Sequence, residues 1–117
     1  MAKTSTKKEF MLLFRGGAEM SDLTPRQQQQ VMTGWFAWMG GLKKRGHYGS
    51  GAPLDDAGRL VSGRNGSSVK PFTDSKLAVG GYIRIKAKNL AEASKLAKGC
   101  PILERNGSVE VRPILAM

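Results

Sequence analysis

The only histidine in the chain, His47, lies in the run GHYGSGAPLDDAG, which extends from Gly46 to Gly58. Imidazole titrates near neutrality, so a histidine among small residues is a candidate general acid or base. Such a ring needs a group to orient it, and Asp74 in PFTDSK supplies a candidate carboxylate. Beside it, Ser75 and Lys76 offer a hydroxyl and an ammonium to a carboxylate or phosphate. Trp35 and Trp38, three positions apart, are neighbours on a helix and can wall a small apolar pocket. Together these residues suit acid–base chemistry on a small molecule, or binding of one. Each also has a plainer role. His47 follows a helix stop and suits the helix end, TDSK suits an edge turn, and paired tryptophans suit a core.

Other groups carry less chemistry. Asp55-Asp56 has no third ligand nearby, and Asp-Asp-Ala-Gly is ordinary turn chemistry. Gly46, Gly49 and Gly51 match neither the dinucleotide fingerprint nor a P-loop. Cys100 is the single cysteine, so it forms no internal disulfide and no zinc spacing, and a small buried role beside Pro101 fits it. No metal and no cofactor is expected.

Size and composition set the frame. The chain has 117 residues, enough for one domain with a modest core. Its hydrophobic content of 40% sets it apart from disordered chains. The apolar run Phe10–Phe14 is too short for a secretory or membrane-spanning segment, which points to a cytoplasmic protein without a membrane partner. The net charge of +10 favours an anionic partner, although the positive residues are scattered as on a solvated surface. RNA-recognition modules share the order of elements set out below. They stack bases on aromatics of their central strands, and GGYIRIKA offers only Tyr82. No specific nucleic-acid partner is expected.

The elements that position these residues follow from pattern. Residues 1–7 read as a loose basic tail, and 8–117 as one domain. Glu9–Arg15 is a strand with Phe10, Leu12 and Phe14 on one face and Met11 and Leu13 on the other. Thr24-Pro25-Arg26-Gln27 starts a helix with a cap, a proline at the first position and a glutamine three after the cap. Val31, Trp35, Trp38, Met39 and Leu42 form its apolar stripe, Gln28 and Lys43 lie on its exposed side, and Gly46 ends it. Gly40-Gly41 within the helix costs roughly 1 kcal/mol per glycine, which a close backbone contact would explain. Tyr48–Leu54 and Arg59–Ser62 are short strands flanking the Asp55–Gly58 turn. Asn65-Gly66 is a hairpin turn with a return strand over Ser67–Val69. Val79–Lys86 alternates as a strand, and Asn89 opens a helix with Leu90, Ala93, Leu96 and Ala97 as its stripe. Asn106-Gly107 turns into a last strand, Val109–Ile114. This order predicts an α+β, ferredoxin-like fold, with both helices on one face of an antiparallel sheet. A first strand apolar on both faces then requires cover on the second face, and a two-fold copy of the same chain provides it.

The stretches KEFMLLFRGG, WMGGLKKRG, GAPLDDAGRLVSG, PFTDSKLAVGGYIRI, LAEASKLAKGCPIL and SVEVRPI, in register from Lys8 to Ile114, resemble the YCII-related family, in particular its DGPF-type branch. The resemblance implies a ferredoxin-like fold and homodimers with facing sheets. Two departures stand out. The branch motif D-G-P-F reads Val69-Lys70-Pro71-Phe72, and lysine makes a positive φ at that position unfavourable. The first-helix histidine of some members, suspected of acid–base work, has no counterpart in GWFAWMGG.

The combined expectation is a small dimeric protein that binds a small metabolite, anionic by charge, in a helix–sheet pocket. Alternatives are an acid–base enzyme of the muconolactone isomerase or dehalogenase type, by analogy of fold, and a non-enzymatic interaction module or weak nucleic-acid binder. Nucleic-acid binding by charge alone is expected to vanish as salt rises. A sequence-selective, salt-resistant complex in a filter-binding titration would overturn that expectation.

Overall fold

The computed structural model describes residues 7–17, 20–55, 57–72 and 78–116. These form six strands and two α-helices: β1 (Lys8–Gly16), α1 (Pro25–Lys44), β2 (Tyr48–Pro53), β3 (Arg59–Ser62), β4 (Ser68–Pro71), β5 (Val79–Ala87), α2 (Leu90–Ala97) and β6 (Gly107–Pro113). The main sheet has the order β2-β5-β1-β6, and every pairing in it is antiparallel. Thus β1 and β2 run parallel with β5 between them, and β5 and β6 run parallel with β1 between them. This is the split βαβ arrangement of the ferredoxin-like fold. β3 and β4 form a separate hairpin inserted between β2 and β5.

The core lies under the helices. Phe10, Leu12 and Phe14 of β1 and Ile83, Ile85 and Ala87 of β5 are buried together with Leu42 of α1 and Ala93 and Ala97 of α2. On β6, Val111 and Val109 sit opposite Leu12 and Phe14 and pack against this cluster. The strand periodicity is therefore as the sequence predicts. The even-numbered set of β1 faces the helices, and Met11 and Leu13 lie half-buried on the open face.

α1 begins as predicted. The Thr24 hydroxyl accepts from the Gln27 N–H at 3.2 Å, and the Gln27 side chain accepts from the Thr24 N–H at 2.9 Å. Its end is a Schellman motif. The Gly46 N–H donates to Lys43 O and the His47 N–H to Leu42 O, with Gly46 at φ 79°. Leu42 is fully buried and Lys43 exposed, as the helical phase requires. Trp35 is half-buried against the core. Gln28 departs from expectation. It is half-buried, because its amide donates to Met20 O and Leu23 O at 2.8 and 3.1 Å and ties down the segment before the helix.

Three further differences stand out. Leu90 is 48% exposed, so the buried face of α2 is made by Ala93 and Ala97. β2 pairs with β5, and β3 with β4, so the two strands flanking the Asp55–Gly58 turn do not pair with one another. Gly40 has no close backbone neighbour, and a Cβ there would meet nothing within 4 Å. The hairpin turn is as expected, with Asn65 and Gly66 both at positive φ and the Ser67 N–H donating to Arg64 O. Lys70 sits in β4 opposite Leu60 without a positive φ.

The two helical glycine sites give opposite expectations for one substitution. Gly40→Ala should stabilise the fold by about 1 kcal/mol, since it improves helix propensity in open space. Gly46→Ala should destabilise it by about 1–2 kcal/mol, since alanine resists the left-handed conformation. Urea denaturation of the two variants against the parent chain checks both signs.

Candidate functional site

His47 is placed by the end of α1. The Schellman turn reverses the chain, and the His47 carbonyl accepts from the Lys86 N–H at 2.7 Å, which docks the start of β2 on β5. The ring is fixed as well. Its Nδ1 lies 2.8 Å from Lys86 O. A carbonyl can only accept, so Nδ1 carries the proton and Nε2 of the neutral ring keeps its lone pair. A backbone carbonyl, not a carboxylate, thus holds the imidazole in an orientation that leaves Nε2 available as a base or an acceptor.

The surroundings are basic. Lys7 approaches Gly46, its Nζ 3.9 Å from where a Cβ would stand. Lys43 places its ammonium 5.0 Å from the centre of the Tyr48 ring. Glu92, in the first turn of α2, is the acid of this group. Its carboxylate accepts from the Lys88 N–H at 2.8 Å, and Asn89 caps the helix by accepting from the Glu92 N–H at 2.8 Å. The Lys88 N–H holds the Glu92 pKa below the ordinary value of 4.5; partial desolvation opposes this, and the positive fields of His47, Lys88 and Lys7 assist it. Sequence reading found Asn89 as a cap but not Glu92 as a neighbour of His47. The signal was the cap motif, whose glutamate reaches back toward the cap; here it takes the N–H one residue earlier, that of Lys88.

The other candidates among the described residues lie elsewhere. Asp74, Ser75 and Lys76, like Asp56, fall outside the described residues. Trp35 and Trp38 form an edge-to-face cluster with Phe14, with ring centres 5.1 and 6.1 Å from Phe14 and 5.8 Å from each other. The Trp38 indole N–H donates to Leu96 O at 3.2 Å, and a Cβ at Gly99 would stand only 3.0 Å from Trp38 Cδ1. The glycine that ends α2 thus also makes room for the indole. Phe14 pairs with Gly81, whereas the His47 ring bonds to Lys86, the partner of Glu9. Five residues of β1, about 17 Å, separate the two places. The fold therefore does not bring the tryptophans and His47 together. Asp55 accepts from the Ala57 N–H at 3.3 Å, a turn contact. Cys100 is 2% exposed, and burial pushes its thiol up to about 11, which keeps it protonated and unreactive. Two surface cavities, of about 350 and 320 Å³, flank the first half of α1, and neither is lined by His47 or the tryptophans.

The lowered pKa of Glu92 has a definite sign. Its ionised form contributes stability that is present above the unfolded value, near 4.5, and is lost as pH falls through the lower folded value. Glu92→Gln should therefore flatten the acid limb of the stability curve in that window and leave the neutral region nearly unchanged. Melting temperatures of the two proteins measured across the acid range check this.

The open face of the sheet is the other surface with functional character. Leu13 stands between Tyr82 and Glu110, and Met11 between Arg84 and Arg112. Ion pairs cross this face from Arg15 to Glu110, from Arg84 to Glu9 at 2.9 Å and from Arg112 to Glu110 at 3.5 Å. No described helix is long and apolar enough to cross a membrane. Among curated proteins none matches this chain. A family model, the YCII-related domain, matches residues 9–117. That span contains all of the ferredoxin-like fold but the first residue of β1, and the chain belongs to the YCII-related family.

Proposed function

We propose that this YCII-related protein acts as a homodimer paired through the open sheet faces, and binds a small anionic metabolite at the basic end of the sheet around His47. The observation that carries the ligand reading is the His47 ring. It is anchored through Nδ1 to Lys86 O, its Nε2 is left available, and Lys7 and Lys88 lie close enough to act on the same carboxylate, Glu92. An anion there meets the positive charge of the lysines, and the imidazole, already oriented, donates to it from Nε2 when the ring is protonated. The same tautomer supports acid–base chemistry on a small carboxylate as a second reading, since an Nε2 lone pair is what a general base requires. The DGPF-type branch is proposed on the motif stretches quoted above.

The dimer reading rests on the uncovered face. The domain measures 19 Å along its shortest axis, the depth of one sheet and one helix layer. Met11, Leu13 and Tyr82 give the second face an apolar centre with an ion-paired margin, as expected of an interface with a polar rim.

Thermal-shift titration with small mono- and dicarboxylates and sugar phosphates tests the ligand. At least one should raise the melting temperature of the wild type and not that of His47→Ala. Equal shifts in both proteins would defeat the His47 site. Sedimentation equilibrium tests the dimer. Leu13→Lys should yield a folded monomer, whereas Leu12→Lys, at a fully buried core position, should unfold the domain. A wild-type monomer at micromolar concentration would end the proposal.

A further inference from the structure

The cavity of about 320 Å³ lies between the first turns of α1 and the 3₁₀ segment Pro101–Arg105, away from His47. Leu23, Val31 and Pro101 give it an apolar side, and Gln27, Gln30 and Arg105 a polar one. Arg105 sets it apart. Its Nε is sealed from solvent yet has no hydrogen-bond partner among the described residues. Buried donors are paired in folded proteins, and leaving one unpaired is destabilising. Glu104 also lines the cavity, but neither Glu104 nor Arg105 enters an ion pair among the described residues. The guanidinium therefore keeps its full charge and an unused donor beside a hollow.

The chemistry around it is specific. A guanidinium also presents its two terminal Nη–H groups as a parallel fork, which matches the two oxygens of a carboxylate. Gln27 already uses its Oε1 to accept from the Thr24 N–H, so the part of its amide left to a ligand is the donating NH₂. Gln30, one turn on, lines the same hollow. Gly34 also lines the hollow beside Pro101, where a Cβ would stand in ordinary contact, 3.6 Å from Pro101 Cγ.

We propose that this groove is a second ligand site, distinct from the His47 site, which takes a small carboxylate with a short apolar body, its carboxylate on Arg105 and its hydrocarbon against Leu23, Val31 and Pro101. Amide-resolved NMR titration with butyrate, n-butylamine and inorganic phosphate tests it. Butyrate should shift the Gln30, Gly34 and Arg105 amides saturably, with n-butylamine silent and phosphate weaker. Arg105→Met should abolish the response. Arg105→Lys, which keeps the charge but loses the fork, should weaken it by about tenfold or more. His47→Ala should leave it intact, so the outcome is independent of the His47 reading. A flat titration at millimolar butyrate would overturn the proposal, as would shifts that survive in Arg105→Lys at full strength. A phosphate response equal to that of butyrate would overturn the assigned ligand class.

Discussion

The fold depends on one strand that is apolar on both sides. β1 is central, hydrogen-bonded to β5 on one edge and β6 on the other. Its Phe10, Leu12 and Phe14 are each at most 4% exposed and form the floor on which both helices rest. Full burial of such side chains stabilises by about 1.5–3 kcal/mol each. Net stabilities of domains are only about 5–15 kcal/mol, so these three positions carry a large share of the margin. The same strand turns Met11 and Leu13 to the opposite face. A single constraint, the period of two in a strand, thus dictates where the helices must pack and which surface they leave open.

The position of His47 follows from that arrangement. Leu42 must face the core, which fixes the rotation of α1 in its last turn. The Schellman motif then fixes where the chain leaves the helix, because the His47 N–H must reach Leu42 O. From there the chain meets β5 at Lys86, and the backbone of His47 and Lys86 bonds before β2 proper begins. The ring orientation is a by-product of this junction, since the Lys86 carbonyl that receives Nδ1 belongs to the strand the backbone is joining. A site built this way is positioned by hydrogen bonds of the fold itself, and its rigidity does not depend on a neighbouring loop.

Much of this was legible in the sequence, for a physical reason. Thr24-Pro25-Arg26-Gln27, Gly46, Asn65-Gly66 and Asn89 act through backbone donors within a few residues, so their geometry is local. The alternation of β1 and β5 is equally local and gave the two sets of each strand, whereas which set of β1 lies under the helices depends on packing from outside the strand. What escaped was non-local. Gln28 reads as a solvated helix residue until the chain before the helix folds back to offer Met20 O and Leu23 O. Trp35 and Trp38 read first as core and also as a pocket wall, and the Leu96 carbonyl and the slot at Gly99 hold Trp38 in packing. The distance between the tryptophans and His47 depends on strand register, which no residue type announces. Arg105 is one basic residue among nineteen lysines and arginines, and only the hollow beside it sets it apart.

The charges on the open face bear on how two such basic chains can approach each other. With a net charge of +10, two copies repel at long range. Close to the sheet the balance differs. Arg15, Arg84 and Arg112 each have a carboxylate from their own chain, Glu110 or Glu9, within ion-pair reach. Partly exposed pairs of this kind add little stability on their own, about 0–1 kcal/mol each. Their effect on association is larger, because Glu9 neutralises Arg84, and Glu110, shared by Arg15 and Arg112, leaves that trio at +1 instead of +2 toward a facing copy. Without Glu9 and Glu110, three arginines would ring Met11 and Leu13 and meet three more across a two-fold axis. The two glutamates are thus the residues that make an apolar centre usable on a strongly basic protein, and on the proposed dimer they matter more to assembly than to the fold of the single chain.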